Sequence, residues 1–226
     1  MPVKDQIEMV GSFQELINAK FYGNKNAVCW RRNLRGDFNQ IATKFEFEGN
    51  IAELKAEDLE RLELNSDGQL AREVLLSDLE LLRKYGAEPV LNVIKNYVRD
   101  ESVSFFSTDV YSYHVDRSPL PTDTFLCTYE GASSDLLPNH QAQQKIRIPE
   151  IRNQLMSLHG EEDGFEDFLS EFFFDLHYQE LPGASPVNLG VGNLWRLAVD
   201  HPESNSLPCI HRAPMENGAV RLLLIC

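Results

Sequence analysis

Hydrophobic positions in the first half of the chain repeat at helical spacing in two neighbouring segments. Between residues 69 and 85, leucines recur at intervals of three and four residues, and a glycine and a proline follow where a helix would end. A second apolar stripe spans residues 90–98, directly after a proline in a favourable first-turn position. The pattern therefore predicts a helical hairpin, and it predicts that residues 1–101 are mainly helical.

The second half of the chain changes to Val, Phe, Thr and Tyr in short alternation with polar residues, which is typical of β-strands. Prolines and a turn-like segment at 214–218 divide the strands from one another. We expect strands near residues 103–116, 123–130, 187–199, 209–213 and 219–226.

One helical segment interrupts the strands, within about residues 149–180, and its Phe and Leu side chains mark a single face. The segment is strongly acidic, since no Lys or Arg occurs between Arg152 and Arg196. A solvated helix packed on the β core explains this pattern, and a partner-binding face or a lid over a site is the alternative.

Length and composition favour one domain over the whole chain, 1–226. The chain has 226 residues with 42% hydrophobic side chains, enough for a sizeable core. Its net charge of −14 disfavours nucleic-acid and anionic-membrane partners. Residues 1–12 contain no apolar signal region, the longest apolar run is five residues, and the four cysteines form no CxxC pair. We therefore expect a cytoplasmic protein, and the sequence leaves its oligomeric state open.

The candidate chemistry lies in a His-x-Asp pair and a later histidine. Side chains two residues apart in a strand point to the same face, so His114 and Asp116 can present an imidazole and a carboxylate to one ion. His211, on another predicted strand, can supply a third ligand. Two histidines and one carboxylate leave open positions on Fe(II) for a cosubstrate and O₂, and zinc also accepts these ligands.

Arg221 follows His211 by ten residues, on the next predicted strand, where it can lie beside the same pocket. A guanidinium binds a carboxylate through two parallel hydrogen bonds, as a dicarboxylate such as 2-oxoglutarate requires. An ordinary ion pair is the alternative role for Arg221.

Several short blocks resemble an uncharacterised bacterial family, domain of unknown function 1826. They are NAVCWRR at 26–32, YHVDRSPL at 113–120, LCTYEG at 126–131, IHRAP at 210–214 and RLLL at 221–224. Because no reaction is assigned to that family, the resemblance supplies no function by itself.

The order of the His-x-Asp pair, the second histidine and the arginine is similar to that of the 2-oxoglutarate and Fe(II) oxygenases. This resemblance implies an α+β protein with a double-stranded β-helix (jelly-roll, cupin-like) core in 102–226, preceded by helices and carrying the acidic insertion. It implies that His114, Asp116 and His211 bind Fe(II) and that Arg221 binds 2-oxoglutarate. The implied reaction decarboxylates 2-oxoglutarate to succinate while a bound substrate, which the sequence does not name, is oxidised.

Two other functions use the same residues. Cys209 lies two positions before His211, so a Cys-His-His-Asp zinc site for metal handling or sensing is one alternative. A barrel with a vestigial site that binds partners through its acidic helix is the other. The remaining histidines, His140, His159, His177 and His201, are predicted to lie at the surface or at helix ends.

Overall fold

Two β-sheets and six α-helices make up the part of the chain that the computed structural model describes, residues 5–215 and 217–226, in a mixed α+β fold. In chain order the elements are β1 (Ile7–Val10), α1 (Phe13–Asn18), β2 (Ala27–Trp30), α2 (Phe38–Lys44), β3 (Ile51–Glu53), α3 (Ala56–Arg61), α4 (Ser66–Tyr85), β4 (Val90–Ile94), β5 (Tyr113–His114), β6 (Asp123–Glu130), β7 (Asp135–Leu136), β8 (Ala142–Gln144), α5 (Pro149–His159), α6 (Phe165–Glu171), β9 (His177–Glu180), β10 (Val187–Asn188), β11 (Leu194–Ala198), β12 (His211–Arg212) and β13 (Arg221–Ile225).

The larger sheet has seven strands in the order β1–β2–β11–β6–β13–β4–β3, and apolar side chains from the N-terminal helices cover one of its faces. Helix α4 confirms the prediction for residues 69–85 and begins slightly earlier, at Ser66, where the Asn65 side chain accepts a hydrogen bond from the Gly68 amide. Gly86 ends the helix in the left-handed conformation, at φ 99°. The buried leucines of α4 thus form the helix side of the main core.

The predicted helix at 90–98 is wrong, because residues Val90–Ile94 form strand β4 between β13 and β3. Leu91 and Val93 alternate with less buried neighbours and pack into the same core as α4. A short apolar run fits a strand as well as a helix, and here two neighbouring strands satisfy its backbone groups. Strands β1, β2 and β3 also come from the first 101 residues, which the hydrophobic pattern did not predict.

The smaller sheet has six strands of two to four residues in the order β10–β7–β12–β5–β9–β8. Leu136 of this sheet packs with Cys29, Trp195, Leu197 and Leu223 of the larger sheet, so an apolar layer joins the two.

The strand predicted at 103–116 is confirmed only at Tyr113–His114. Residues before it form turns, in which the Asp100 and Asp109 carboxylates accept backbone N–H groups. Of the other predicted strands, 123–130 is confirmed as β6, 187–199 divides into β10 and β11, and 209–213 and 219–226 shorten to β12 and β13.

The acidic insertion is helical but not one helix. Helix α5 ends at Gly160, which has φ 98°, and α6 begins after Gly164, which has φ 73°. A 3-10 turn at Phe174–Leu176 follows, and His177 already belongs to strand β9. Glycine occupies both positions because each needs a positive φ, which glycine adopts without steric cost. The insertion packs its Phe side chains around Phe106 in a separate apolar cluster.

None of the helices among residues 5–215 and 217–226 has the length and apolar character needed to span a bilayer. The predicted turn at 214–218 includes Glu216, which lies outside the described residues.

Candidate metal centre

His114, Asp116 and His211 converge on one point of the smaller sheet. One ligand-type atom from each side chain lies within 4.8 Å of the other two. His114 on β5 stands directly opposite His211 on β12, and their ring centroids are 4.7 Å apart. Asp116, two residues beyond His114, places its carboxylate oxygens 3.9 Å from His114 Nε2 and 3.7 Å from His211 Nε2. Two nitrogens and one oxygen at these separations can hold a divalent cation.

Backbone carbonyls orient both imidazoles toward the carboxylate. His114 Nδ1 donates to the Ser112 carbonyl at 2.8 Å, and His211 Nδ1 donates to the Cys209 carbonyl at 3.3 Å. A carbonyl oxygen can only accept, so the proton belongs on Nδ1 and the Nε2 lone pair is free to bind a metal. Thr124 donates a hydrogen bond to Asp116 Oδ2 and fixes the third ligand.

The electrostatics keep His114 and Asp116 in the protonation states that a metal needs. Burial, reinforced by the charge of His211, lowers the pKa of His114 to about 4, so this imidazole is neutral at pH 7. Burial alone would raise the pKa of Asp116, but the nearby His211 charge and the Thr124 hydrogen bond outweigh it and lower the pKa. No proton on His114 or Asp116 has to be displaced near neutral pH.

Arg221 is buried close to this group and has no carboxylate partner among the described residues. Its guanidinium donates to Thr128 Oγ1 and Ser134 Oγ at 2.9 Å each, and to the Tyr97 hydroxyl at 3.3 Å. Its Nε is buried without a hydrogen-bond partner in the described part of the chain. Burial lowers the pKa of Arg221, as expected for a cation in apolar surroundings.

One cavity of about 230 Å³ connects the two features, and we call it the Arg221 cavity. Its walls include all three ligand-type side chains and Arg221, together with Tyr97 and Ser134. The rest of the wall is mostly apolar, with Leu223 among its residues. A small molecule in the Arg221 cavity can therefore touch the metal position and the buried guanidinium at once.

Cys209 does not join the ligand group, which contains no sulfur among the residues described. Its side chain lies in the apolar layer between the sheets, and burial raises the pKa of its thiol above the range in which a thiolate forms. The Cys-His-His-Asp arrangement considered from the sequence is therefore not assembled in this structure.

Sequence reasoning missed His177, which it placed on the acidic helix. The residue lies on β9, directly opposite His114, and is only 4% exposed. Three histidines thus form a row across β12, β5 and β9, with His114 in the middle. The sequence does not indicate that β9 begins at His177, because the helical spacing of Phe and Leu residues continues up to Leu176. The hydroxyl groups around Arg221 had no sequence signal either, since they come from three separate segments.

Comparison of the chain with protein-family models, with curated proteins and with solved structures finds no match. The resemblance to domain of unknown function 1826 accordingly remains a prediction, and the functional argument depends on the geometry of the site.

Proposed function

We propose that this protein is a non-haem Fe(II)- and 2-oxoglutarate-dependent oxygenase. The observation that carries the proposal is the Arg221 cavity, which combines two imidazoles, a carboxylate and a buried guanidinium that lacks a carboxylate partner among the described residues. Such a cation is costly to bury unless an anion joins it. A dicarboxylate can pair one carboxylate with Arg221 and bind the metal through its other end, so it would supply a partner for both groups of the cavity.

The strand order supports a jelly-roll core. Strands β4, β13, β6 and β11 are neighbours in the larger sheet, and β10, β7, β12 and β5 are neighbours in the smaller one. Along the chain, β4, β5, β6 and β7 alternate between the sheets, as do β10, β11, β12 and β13. An eight-stranded double-sheet jelly roll would alternate in this way, and in the proposed core β4 is the first strand where the sequence predicted a helix.

The same observations suggest a role for each residue of the site. His114, Asp116 and His211 would hold Fe(II), and Arg221 with Thr128 and Ser134 would hold the distal carboxylate of 2-oxoglutarate. When bound, Fe(II), 2-oxoglutarate and O₂ supply the oxidising power, as cofactor chemistry does in general. The chain's own part is to orient the imidazoles through Ser112 and Cys209 and to surround the cosubstrate with an apolar wall.

Metal content is the first test. Protein purified without added metal should bind Fe(II) or Mn(II) at one site, and His114→Ala or Asp116→Ala should abolish binding without unfolding the chain. His140→Ala, a change at an exposed histidine outside the site, is the matched control and should retain the metal. Unchanged binding in both site variants would refute the proposed metal centre.

Turnover is the second test. With Fe(II), ascorbate and O₂, the protein should convert 2-oxoglutarate slowly to succinate even without its substrate, and Arg221→Met should raise the 2-oxoglutarate concentration required. Tight zinc binding that also depends on Cys209, with no succinate formed, would instead support zinc handling or sensing.

A further inference from the structure

Phe173 has a backbone conformation that does not suit its side chain. Among the residues described, it is the only non-glycine residue with positive φ, at 60°. The left-handed region disfavours residues with a Cβ atom, and a bulky side chain there is an outlier. Backbone strain of this kind is concentrated at active sites, ligand clamps and switch regions.

The Phe173 ring also contributes little to packing. Neighbouring rings of the insertion, Phe168, Phe172 and Phe174, contact one another at centroid distances of 5.1–6.2 Å. Phe173 is 58% exposed, and it belongs to none of the apolar clusters of the described residues. A glycine would be less strained at this position, so neither the backbone nor the core explains a phenylalanine.

The ring lies instead at the junction of two cavities. One, which we call the insertion cavity, has a volume of about 270 Å³ and shares His114, Asp116 and Val110 with the Arg221 cavity. The other, the outer cavity, has about 510 Å³ and shares Phe173 and Arg117 with the insertion cavity. Phe173 therefore borders both cavities, and the wall of the insertion cavity also includes the candidate ligands His114 and Asp116 but not Arg221.

The insertion cavity has a mixed wall. Apolar side chains come from Val110, Val115, Phe173 and Leu176. The other residues of the wall are polar or ionisable: Thr108, Asp109, His114, Asp116, Arg117 and His177. The Asp109 oxygens accept backbone N–H groups from Asp100 and Tyr111 and keep further lone pairs for a ligand. His177 Nδ1 is buried without a partner in the described part of the chain. Apolar surface combined with convergent polar groups is typical of small-molecule sites.

We propose that the acidic insertion forms the substrate wall of the metal centre, and that Phe173 stacks against a planar, mostly apolar group of the substrate. That group carries a hydrogen-bond donor, which the Asp109 carboxylate accepts. Prolines at the outer cavity, Pro119 and Pro202, offer further flat apolar surface on the entry route. The inference rests on the proposed function for the identity of the bound ion, and it adds the chemical class of the substrate.

Indole is a suitable probe because it is planar and has one N–H donor. Its binding to metal-free protein can be followed by saturation-transfer NMR, with cyclohexylmethanol as the non-planar comparison. Phe173→Gly keeps the backbone conformation and should weaken indole binding about 2- to 10-fold, the change that loss of one aromatic pair produces. Phe172→Gly is the matched control, since Phe172 is 51% exposed but borders neither cavity.

Addition of Mn(II) then locates the bound probe. Indole resonances should broaden in the wild-type protein and in Phe172→Gly, and much less in Phe173→Gly. Equal binding in both glycine variants, or equal binding of cyclohexylmethanol, would overturn the proposed wall. Indole binding that depends on Phe173 but shows no broadening, while water relaxation reports bound Mn(II), would also overturn it. Absence of bound Mn(II) would show instead that the metal centre itself is wrong, and the inference would fall with it.

Discussion

At the scale of single residues, we expect the stability of this protein to depend on whether an anion occupies the Arg221 cavity. Arg221 is 5% exposed and its partners among the described residues are hydroxyl groups, which are weaker partners for a cation than a carboxylate. By contrast, the buried Arg32 guanidinium contacts both oxygens of Asp78 at 2.7 Å. The side chains of Arg221 and Arg32 are similarly buried. Of the two, only Arg32 has a carboxylate partner, Asp78, among the described residues.

Arg221→Met should therefore raise the unfolding temperature of the ligand-free protein or leave it unchanged, because it removes a buried charge without removing an ion pair. The wild type should be stabilised by added 2-oxoglutarate, whereas the variant should not respond, since only a ligand that binds the native state shifts the equilibrium. Thermal unfolding with and without 2-oxoglutarate measures both effects. Arg32→Met is the comparison, and it should be strongly destabilising; a similar loss in Arg221→Met would contradict the anion site.

We expect His177 to make the metal-free protein sensitive to acid. Burial, together with the charge of His114, lowers the pKa of His177 to about 3. Between the unfolded value of about 6.5 and this value, the unfolded chain binds a proton that the native chain does not, so stability falls as pH falls. The slope from one such group is at most about 1.4 kcal/mol per pH unit.

Chemical unfolding of the chelator-treated protein at several pH values measures this slope. His177→Gln should flatten it, leaving a contribution from His114, while the exposed His140→Gln should leave it unchanged. An identical slope in His177→Gln and the wild type would show that His177 is not held neutral.

At the scale of elements, one arginine connects the acidic insertion to the β core. Arg117 contacts Asp175 at 2.7 Å and Ser170 at 3.3 Å in the insertion, and Asp200 at 2.8 Å after β11. It follows Asp116 directly in sequence, so the same strand end that presents a candidate ligand also anchors the segment that borders the insertion cavity. Asp175, an acidic residue of the insertion, therefore has a specific partner in Arg117 of the β core.

Arg117→Met should loosen this anchorage and raise the rate of amide hydrogen exchange in residues 165–176. The effect on global stability should be small, since partly exposed ion pairs contribute about 0–1 kcal/mol each. Arg152→Met is the matched control, because Arg152 pairs with Glu166 inside the insertion and forms no ion pair to the core within the described part of the chain. Faster exchange in the control but not in Arg117→Met would contradict this role.

At the scale of the whole molecule, the net charge of −14 opposes compaction, because like charges repel one another. Buried pairs such as Arg32–Asp78 are screened little by salt, whereas the exposed acidic surface is screened strongly. Added salt should therefore weaken the repulsion between exposed acidic groups more than it weakens the buried ion pairs.

Raising the ionic strength from about 0.01 M to about 0.15 M shortens the screening length from about 30 Å to about 8 Å. The unfolding temperature of the metal-free protein should rise over this range. Calorimetry at constant pH measures the shift, and potassium chloride should act like sodium chloride because screening does not depend on the cation. A falling midpoint would show that exposed ion pairs outweigh the repulsion.

The sequence by itself determined the elements whose signals are local. The leucine spacing and the following glycine define α4, and the Phe, Thr and Tyr residues within 123–130 indicate β6. The His-x-Asp spacing predicted that two candidate ligands lie close together, as they do, although β5 ends at His114 and Asp116 lies just beyond it. These features depend only on residues close together in the chain.

Tertiary structure alone decided the identity of β4 and the position of His177. Residues 90–94 become a strand because β3 and β13 lie on either side, and His177 becomes a site residue because β9 pairs with β5. The hydroxyl partners of Arg221 likewise come from segments up to 124 residues away in the chain. Backbone pairing and burial between distant segments have no local pattern, so only the folded chain specifies them.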